Sequence, residues 1–153
     1  MNADAGQASK PEISFYVLSS HLQQQREIFA CKLIEKIYRS EQHCYVLTGS
    51  AAQAASMDNQ LWTFRAGSFV PHQIYTGVLP ELPQTVLIGG PDIPESRQEV
   101  VINLSSSLPA IGPHTKRMLE ILDSSEESKQ AGRERYRYYQ DLGLKIVTHK
   151  IQI

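Results

Sequence analysis

One stretch of the chain concentrates side chains that could bind an anionic or aromatic group. At about 100° per residue, one face of a helix in this stretch would carry Lys129, Arg133, Tyr136, Arg137 and Gln140. Arginine and lysine donate charge-assisted hydrogen bonds to carboxylates, and a tyrosine ring beside them offers an apolar wall. Two interpretations follow: a dock for an acidic peptide, or a solvated basic face beside a tyrosine that extends toward water. Spacing alone favours the solvated face.

The sequence contains few candidate residues for nucleotide binding, metal binding or catalysis. The turns after the first two predicted strands read SSHLQQQ and TGSAAQA, so neither G-x-G-x-x-G nor G-x-x-x-x-G-K-[ST] is present. Gly49 and Ser50 could meet an anion at a helix N-terminus, although a plain tight turn is the more ordinary reading. The carboxylates of Asp92, Glu95 and Glu99 lie in a polar stretch where solvated charge is usual. The five histidines show no zinc-ligand spacing, and there is no G-x-S-x-G elbow. The motifs indicate no enzyme, metal or cofactor.

Composition restricts the class of protein. The 153 residues are 41% hydrophobic, as expected of one globular domain, which we place at residues 12–153 after a flexible tail at 1–11. With 15 basic and 16 acidic residues, the chain has no general attraction to nucleic acid. The N-terminus has no apolar signal-peptide core, and no run is long enough to cross a bilayer. Cys31 and Cys44 lie in apolar segments, which suits core positions in a reduced, cytoplasmic protein.

The first half of the domain alternates strands and helices. We predict a strand from Glu12, a helix over His21–Arg39, a strand ending at Gly49 and a helix over Ser50–Leu61. Such alternation is typical of a parallel sheet with helical crossovers. The predicted fold class is therefore α/β, with three α/β/α layers and a Rossmann-like, mostly parallel sheet.

The second half is less regular. Buried strands are predicted at Thr85–Ile88 and Glu99–Leu104, and a partly exposed strand at the end of the chain. The segment Lys116–Leu122 is ambiguous between strand and helix. We interpret it as a strand, because it directly precedes a helix and would complete another strand–helix unit.

The predicted helix Glu126–Gly143 has signals at both ends. Ser124 and Glu127 have the Ser-x-x-Glu spacing of a capping box, and the terminal glycine favours a left-handed C′ residue. Opposite the basic face, the residues expected to pack against the sheet are Ala131, Tyr138 and Leu142.

Four local patterns, in this order, resemble the chi subunit of bacterial DNA polymerase III holoenzyme. They are FYVL after the tail, Leu61-Trp62 followed by SFVPH, the VINL strand, and KQAGRERYRYYQDLG before a final strand. The likeness spans Ile13 to about Lys150. The chain departs from the family pattern at residues 73–83, at residues 89–97 and in its longer tail.

The resemblance implies a non-catalytic adaptor of DNA replication. Chi subunits pair with the psi subunit of the clamp-loader complex and bind the acidic C-terminal tail of single-stranded-DNA-binding protein, so DNA is contacted only indirectly. The residues that carry over to the tail site are Leu122, Lys129, Arg133, Tyr136 and Arg137. Those that carry over to psi contact are Trp62, Phe69, Val70 and Pro71.

Three alternatives stay open at the level of sequence. A nucleotide-binding enzyme or sensor could use the same fold, although both glycine motifs are missing. Direct DNA binding is opposed by the balanced charge. Trp62 and Phe69 could be ordinary core residues, because aromatic side chains are often simply buried.

Overall fold

Seven strands and three α-helices make up residues 10–152, the part of the chain that the computed structural model describes. The strands are β1 (Glu12–Leu18), β2 (Cys44–Leu47), β3 (His72–Ile74), β4 (Val86–Gly89), β5 (Val100–Asn103), β6 (Arg117–Leu122) and β7 (Ile146–Ile151). The helices are α1 (Gln23–Arg39), α2 (Ala51–Thr63) and α3 (Glu126–Asp141), with a 3₁₀ turn at Glu95–Arg97. Most of the tail predicted at residues 1–11 lies outside the described range.

All seven strands form one sheet in the order β3-β4-β2-β5-β6-β1-β7. Each neighbouring pair is parallel, which confirms the predicted α/β class. The ambiguous segment at residues 116–122 is indeed a strand, and it lies in the middle of the sheet beside β1 and β5. The edge strand β3 is a short element that the sequence analysis missed.

The two faces of the sheet are covered by different helices, which gives the three predicted layers. Residues of α1 and α2, among them Ile34 and Met57, pack in one buried cluster with alternate residues of the strands. Tyr139 of α3 packs in a second cluster with the strand residues that point to the opposite face of the sheet, including Phe15 and Leu122. The predicted core cysteines are both buried in the first cluster, where burial raises the pKa of each thiol to about 12.

The ends of α3 differ slightly from the prediction. The N-cap is Ser125, not Ser124: its Oγ accepts a hydrogen bond from the Ser128 amide at 3.2 Å. Asp123 Oδ1 in turn accepts from the Ser125 amide at 2.8 Å, so the carboxylate stabilises the turn before the helix. At the other end Gly143 has the predicted left-handed conformation, with φ of 74°. Its amide donates to the Gln140 carbonyl, which completes a C-terminal cap.

The face of α3 that packs on the sheet is also not the predicted one. Gly132, Arg135 and Tyr139 are buried, whereas Leu142 is 47% exposed. Ala131 and Tyr138 are only half-buried. The prediction followed apolar residue type, but α3 lies against the sheet through a glycine and through an arginine that finds a buried acidic partner.

Candidate peptide-binding site and partner surface

A pocket of about 410 Å³ lies between α3 and strands β1, β6 and β7. Its walls are formed by Phe15, Val17, Leu122, Lys129, Gly132, Arg133, Tyr136, Arg137, Gln140 and Thr148. The five residues predicted for a tail site therefore lie around one cavity. Their helical spacing was visible in the sequence, but the cavity requires the strands beneath α3.

The floor of the pocket is apolar and belongs to adjacent strands. The strand register places Val17 beside Leu122 on one side, and Phe15 beside Thr148 on the other. Above the floor the Tyr136 ring, 38% exposed, lies 5.5 Å from the Phe15 ring. An aromatic or aliphatic group entering the pocket would contact these rings and the valine. Sequence analysis missed the β1 and β7 contributions because register depends on long-range pairing.

Cations border this floor on the helix side. Among the described residues, Arg133 donates only to the neutral Gln130 Oε1, at 3.2 Å and exposed to solvent. Lys129 Nζ lies 3.9 Å from a highly exposed Glu126 carboxylate, a weak surface pair. Within residues 10–152, neither Arg133 nor Arg137 forms an ion pair with an acidic side chain. The three cations are therefore accessible to carboxylates of a ligand.

A further cation lies on the strand side. Lys150 of β7 is exposed and sits beside Val17 in the strand register, at the same end of the sheet as Leu122. It faces the α3 side of the sheet, because β7 alternates and Thr148 lines the pocket. No acidic side chain of the described range pairs with it. Lys145, directly before the start of β7, instead has its Nζ 3.6 Å from Glu12 Oε2.

A buried polar network beneath α3 fixes the helix above the pocket. Glu120 is fully buried and accepts from Arg135 Nε at 2.8 Å and from the Tyr139 hydroxyl at 2.5 Å. Asn103 Nδ2 donates to both carboxylate oxygens at 3.2 and 3.1 Å. Burial raises the pKa of Glu120, and these three partners oppose the shift. An acid between the apolar residues of the strand RMLEIL was the sequence signal for this network.

The second candidate surface lies where α2 ends and β3 begins. Trp62 is 60% exposed and Phe69 is 80% exposed, so the alternative that these rings are core residues is wrong. Pro71 is half-buried. Val70 differs from its neighbours, because its side chain is buried in the first cluster, and its predicted contact with a partner stays a prediction.

Two sets of hydrogen bonds fix the segment around this surface. The buried His72 ring has Nδ1 2.7 Å from the Val70 carbonyl and Nε2 3.1 Å from the Asp58 carbonyl of α2. It also contacts the Trp62 ring, with ring centres 4.7 Å apart and planes tilted by 57°. The turn before Phe69 is tied to α1 by Ser68, whose hydroxyl donates to Glu35. That hydrogen bond, more than the nearby arginines, holds the pKa of Glu35 below its ordinary value.

The turn where many nucleotide folds bind a phosphate is occupied by the chain's own groups. The Gly49 amide donates to Gln53 Oε1 at 2.7 Å, and the Ser50 hydroxyl caps the first turn of α2 by accepting from the Gln53 amide at 3.1 Å. Residues 10–152 contain no group of three or more His, Cys, Asp or Glu placed to hold a metal ion. Within the same range, none of the helices combines the length and the hydropathy that a membrane span requires.

Comparison with known proteins finds relatives along most of the chain. A family model described as DNA polymerase III chi subunit, HolC, matches residues 11–147. The chain is 30% identical over 139 residues to DNA polymerase III subunit chi of Pseudomonas aeruginosa, covering 91% of this chain and 96% of that protein. It is 28% identical over 123 residues to the Escherichia coli protein of the same name, covering 80% and 83% respectively.

Two solved structures show a fold similar to that of this chain. T4 UvsW superposes with a TM-score of 0.65 at 9% identity, covering 92% of this chain and 41% of that one. Domain 2 of the Mss116p DEAD-box helicase, bound to an RNA duplex, gives a TM-score of 0.60 at 9% identity, covering 93% and 64%. At such identity the likeness concerns the Rossmann-like architecture alone.

Proposed function

The chain belongs to the family of DNA polymerase III chi subunits and is thus a replication accessory subunit, and we propose that it is a non-catalytic adaptor. In this proposal it binds the psi subunit of the clamp-loader complex through one surface and the acidic C-terminal tail of single-stranded-DNA-binding protein through another. It would work in the cytoplasm, without a cofactor, and would contact DNA only through its partners.

The observation that carries the proposal is the pocket beneath α3. An acidic tail that ends in an aromatic residue with a free carboxylate requires an apolar cavity bordered by cations. The pocket offers Phe15, Val17 and Leu122 as its floor, with Arg133 and Lys129 on its rim. Arg133 can donate two parallel hydrogen bonds to the terminal carboxylate, while the aromatic side chain lies against Tyr136.

The second half of the proposal concerns the exposed rings at the end of α2. Large aromatic side chains that remain mostly exposed in one chain are frequent anchors of a protein–protein interface. Trp62 and Phe69 are such anchors, and Pro71 lies next to them. We assign this surface to psi. It lies at the β3 end of the sheet, whereas the pocket lies at the β7 end, so both partners can bind at once.

The experiment that tests the proposal compares two labelled peptides by fluorescence anisotropy. One ends in the acidic tail of the single-stranded-DNA-binding protein of the same organism, and the other lacks only its last residue. We expect the truncated peptide to bind at least about tenfold more weakly, because it loses the group that fills the apolar floor. Equal affinities would mean that the pocket does not take the end of the tail.

A further inference from the structure

Exposed apolar side chains concentrate at the β3 edge of the sheet beyond the residues assigned above. Of the ten large apolar side chains that are exposed in residues 10–152, six lie between positions 62 and 82. They are Trp62, Phe69, Ile74, Val78, Leu79 and Leu82, which we call the edge surface. Apolar side chains that cluster in this way mark interaction surfaces more often than scattered ones do.

The loop at residues 75–85 connects β3 to β4 and carries three residues of the edge surface, Val78, Leu79 and Leu82. It leaves the carboxyl end of β3 and returns to the amino end of β4, because the two strands are parallel. On its return the Thr85 amide donates to the Leu82 carbonyl at 3.1 Å, and the Val86 amide donates to the Pro71 carbonyl at 2.9 Å. The loop therefore ends beside the segment that presents Phe69.

Little in the loop protects it from association. Val78 is 72% exposed and Leu82 is 65% exposed, and Glu81 is the only charged residue between positions 73 and 85. β3 is an edge strand that pairs with β4 alone in the described sheet. Charged side chains are one common protection of edge strands, and this three-residue edge strand has no Asp, Glu, Lys or Arg. Pro80 and Pro83 flank Leu82 and restrict the loop, so a partner would pay less conformational entropy to bind it.

We propose that the loop at residues 75–85 is part of the same interface as Trp62 and Phe69, so that one partner covers the whole edge surface. The occupant is the subunit already assigned to Trp62, because the loop is continuous with that surface through Pro71 and Val86. This inference rests on the proposed function. The inference requires the surface of the partner that contacts the loop to be apolar, without a large excess of positive or negative charge.

The test measures the affinity of the purified chain for the psi subunit of the same organism. The variants are the double substitution Leu79→Ser and Leu82→Ser, the reference Trp62→Ala, and the control Leu108→Ser. Leu108 is 53% exposed, comparable to Leu79 at 49%, but lies far along the chain in another loop. We expect the double variant to bind at least about tenfold more weakly, as for anchors of an interface, with the control within about twofold.

Each outcome separates this inference from the proposed function. If Trp62→Ala weakens binding and the double variant binds like the parent, the loop is not in the interface while the psi surface stands. If no variant changes binding, both proposals fail. Sedimentation of the isolated chain adds a second readout. If the parent is a dimer that the double variant dissociates without change in psi affinity, a second copy covers the loop and the inference is overturned.

Discussion

Gly132 of α3 lies directly against the side chain of Leu122 on β6. A Cβ atom at position 132 would overlap Leu122 Cδ1, so glycine lets α3 lie this close to the sheet without displacing the leucine side chain. The approach places Arg133 and Tyr136 directly above the strands. The depth and width of the pocket therefore depend on a residue that has no side chain.

Gly132→Ala should weaken binding of the acidic-tail peptide, because the new methyl group would push Leu122 into the pocket. Overpacking of this kind costs about 1–3 kcal/mol, partly offset by the roughly 1 kcal/mol gain in helix propensity. Anisotropy and urea unfolding should be measured together, with the exposed helix position Glu134→Ala as control. A folded Gly132→Ala variant with parent affinity would show that the peptide does not reach Leu122.

Arg133→Ala should weaken tail binding by about 1.5–3 kcal/mol, the usual range for hydrogen bonds to charged groups, with little change in folding. Arg133→Lys should also lose affinity because lysine cannot donate in parallel to one carboxylate. Tyr136→Ala should lose the wall for the apolar end of the tail. Titrations of the tail peptide at two salt concentrations measure the electrostatic contribution to binding, which should decrease as the salt concentration rises. The basic face is merely solvated if Arg133→Ala and Tyr136→Ala both bind like the parent.

Lys150→Gln should weaken tail binding by up to about 1 kcal/mol, since an exposed cation contributes little and is screened by salt. The matched control is Lys145→Gln, which removes the same charge at the far end of β7. Lys145 lies beside Glu12 and away from the pocket. Equal losses for the two variants would point to a general charge effect and would remove Lys150 from the site.

Tyr139→Phe should lower the free energy of unfolding by about 1.5–3 kcal/mol, because it deletes a hydrogen bond to the buried Glu120 carboxylate. The adjacent Tyr138→Phe is the control. The Tyr138 hydroxyl makes no hydrogen bond with residues 10–152, so this change should alter the free energy of unfolding by less than about 0.5 kcal/mol. Urea denaturation at pH 7 measures both. If both variants lower the free energy of unfolding by similar amounts, the hydrogen bond from Tyr139 to Glu120 does not stabilise the fold as expected.

Trp62→Ala and Phe69→Ala should each weaken heterodimer formation with psi by about 2 kcal/mol or more, as expected of aromatic anchors, with little loss of melting temperature. The rings are mostly exposed, so their removal leaves the core intact. The contrasting variant is Val70→Ala, which should lower stability because Val70 is buried. Should Phe69→Ala melt several degrees lower and keep its partner, the ring would be structural after all.

The sequence by itself determined the elements and the chemistry of one helix face. Hydrophobic periodicity is local, so the strand at Glu12–Leu18 and the helix ending at Arg39 could be predicted. The strand at Arg117–Leu122 was ambiguous by periodicity and was predicted from its place directly before a helix. The spacing of Lys129, Arg133 and Tyr136 is likewise a property of one helix. Strand–helix alternation was enough to predict a parallel sheet, and the family resemblance could be recognised from short motifs.

Only the tertiary structure decided which groups meet across long distances in the chain. Strand order and register placed Phe15 beside Thr148 in the pocket, and no local pattern contains that pairing. The buried face of α3 was predicted wrongly because residue type favoured Leu142, whereas Glu120 on another strand made burial of Arg135 favourable. Exposure of Trp62 and Phe69 was likewise undecided, since an aromatic residue is equally suited to a core and to an interface. The tertiary structure leaves both rings mostly exposed beside a turn that His72 and Glu35 contact through hydrogen bonds.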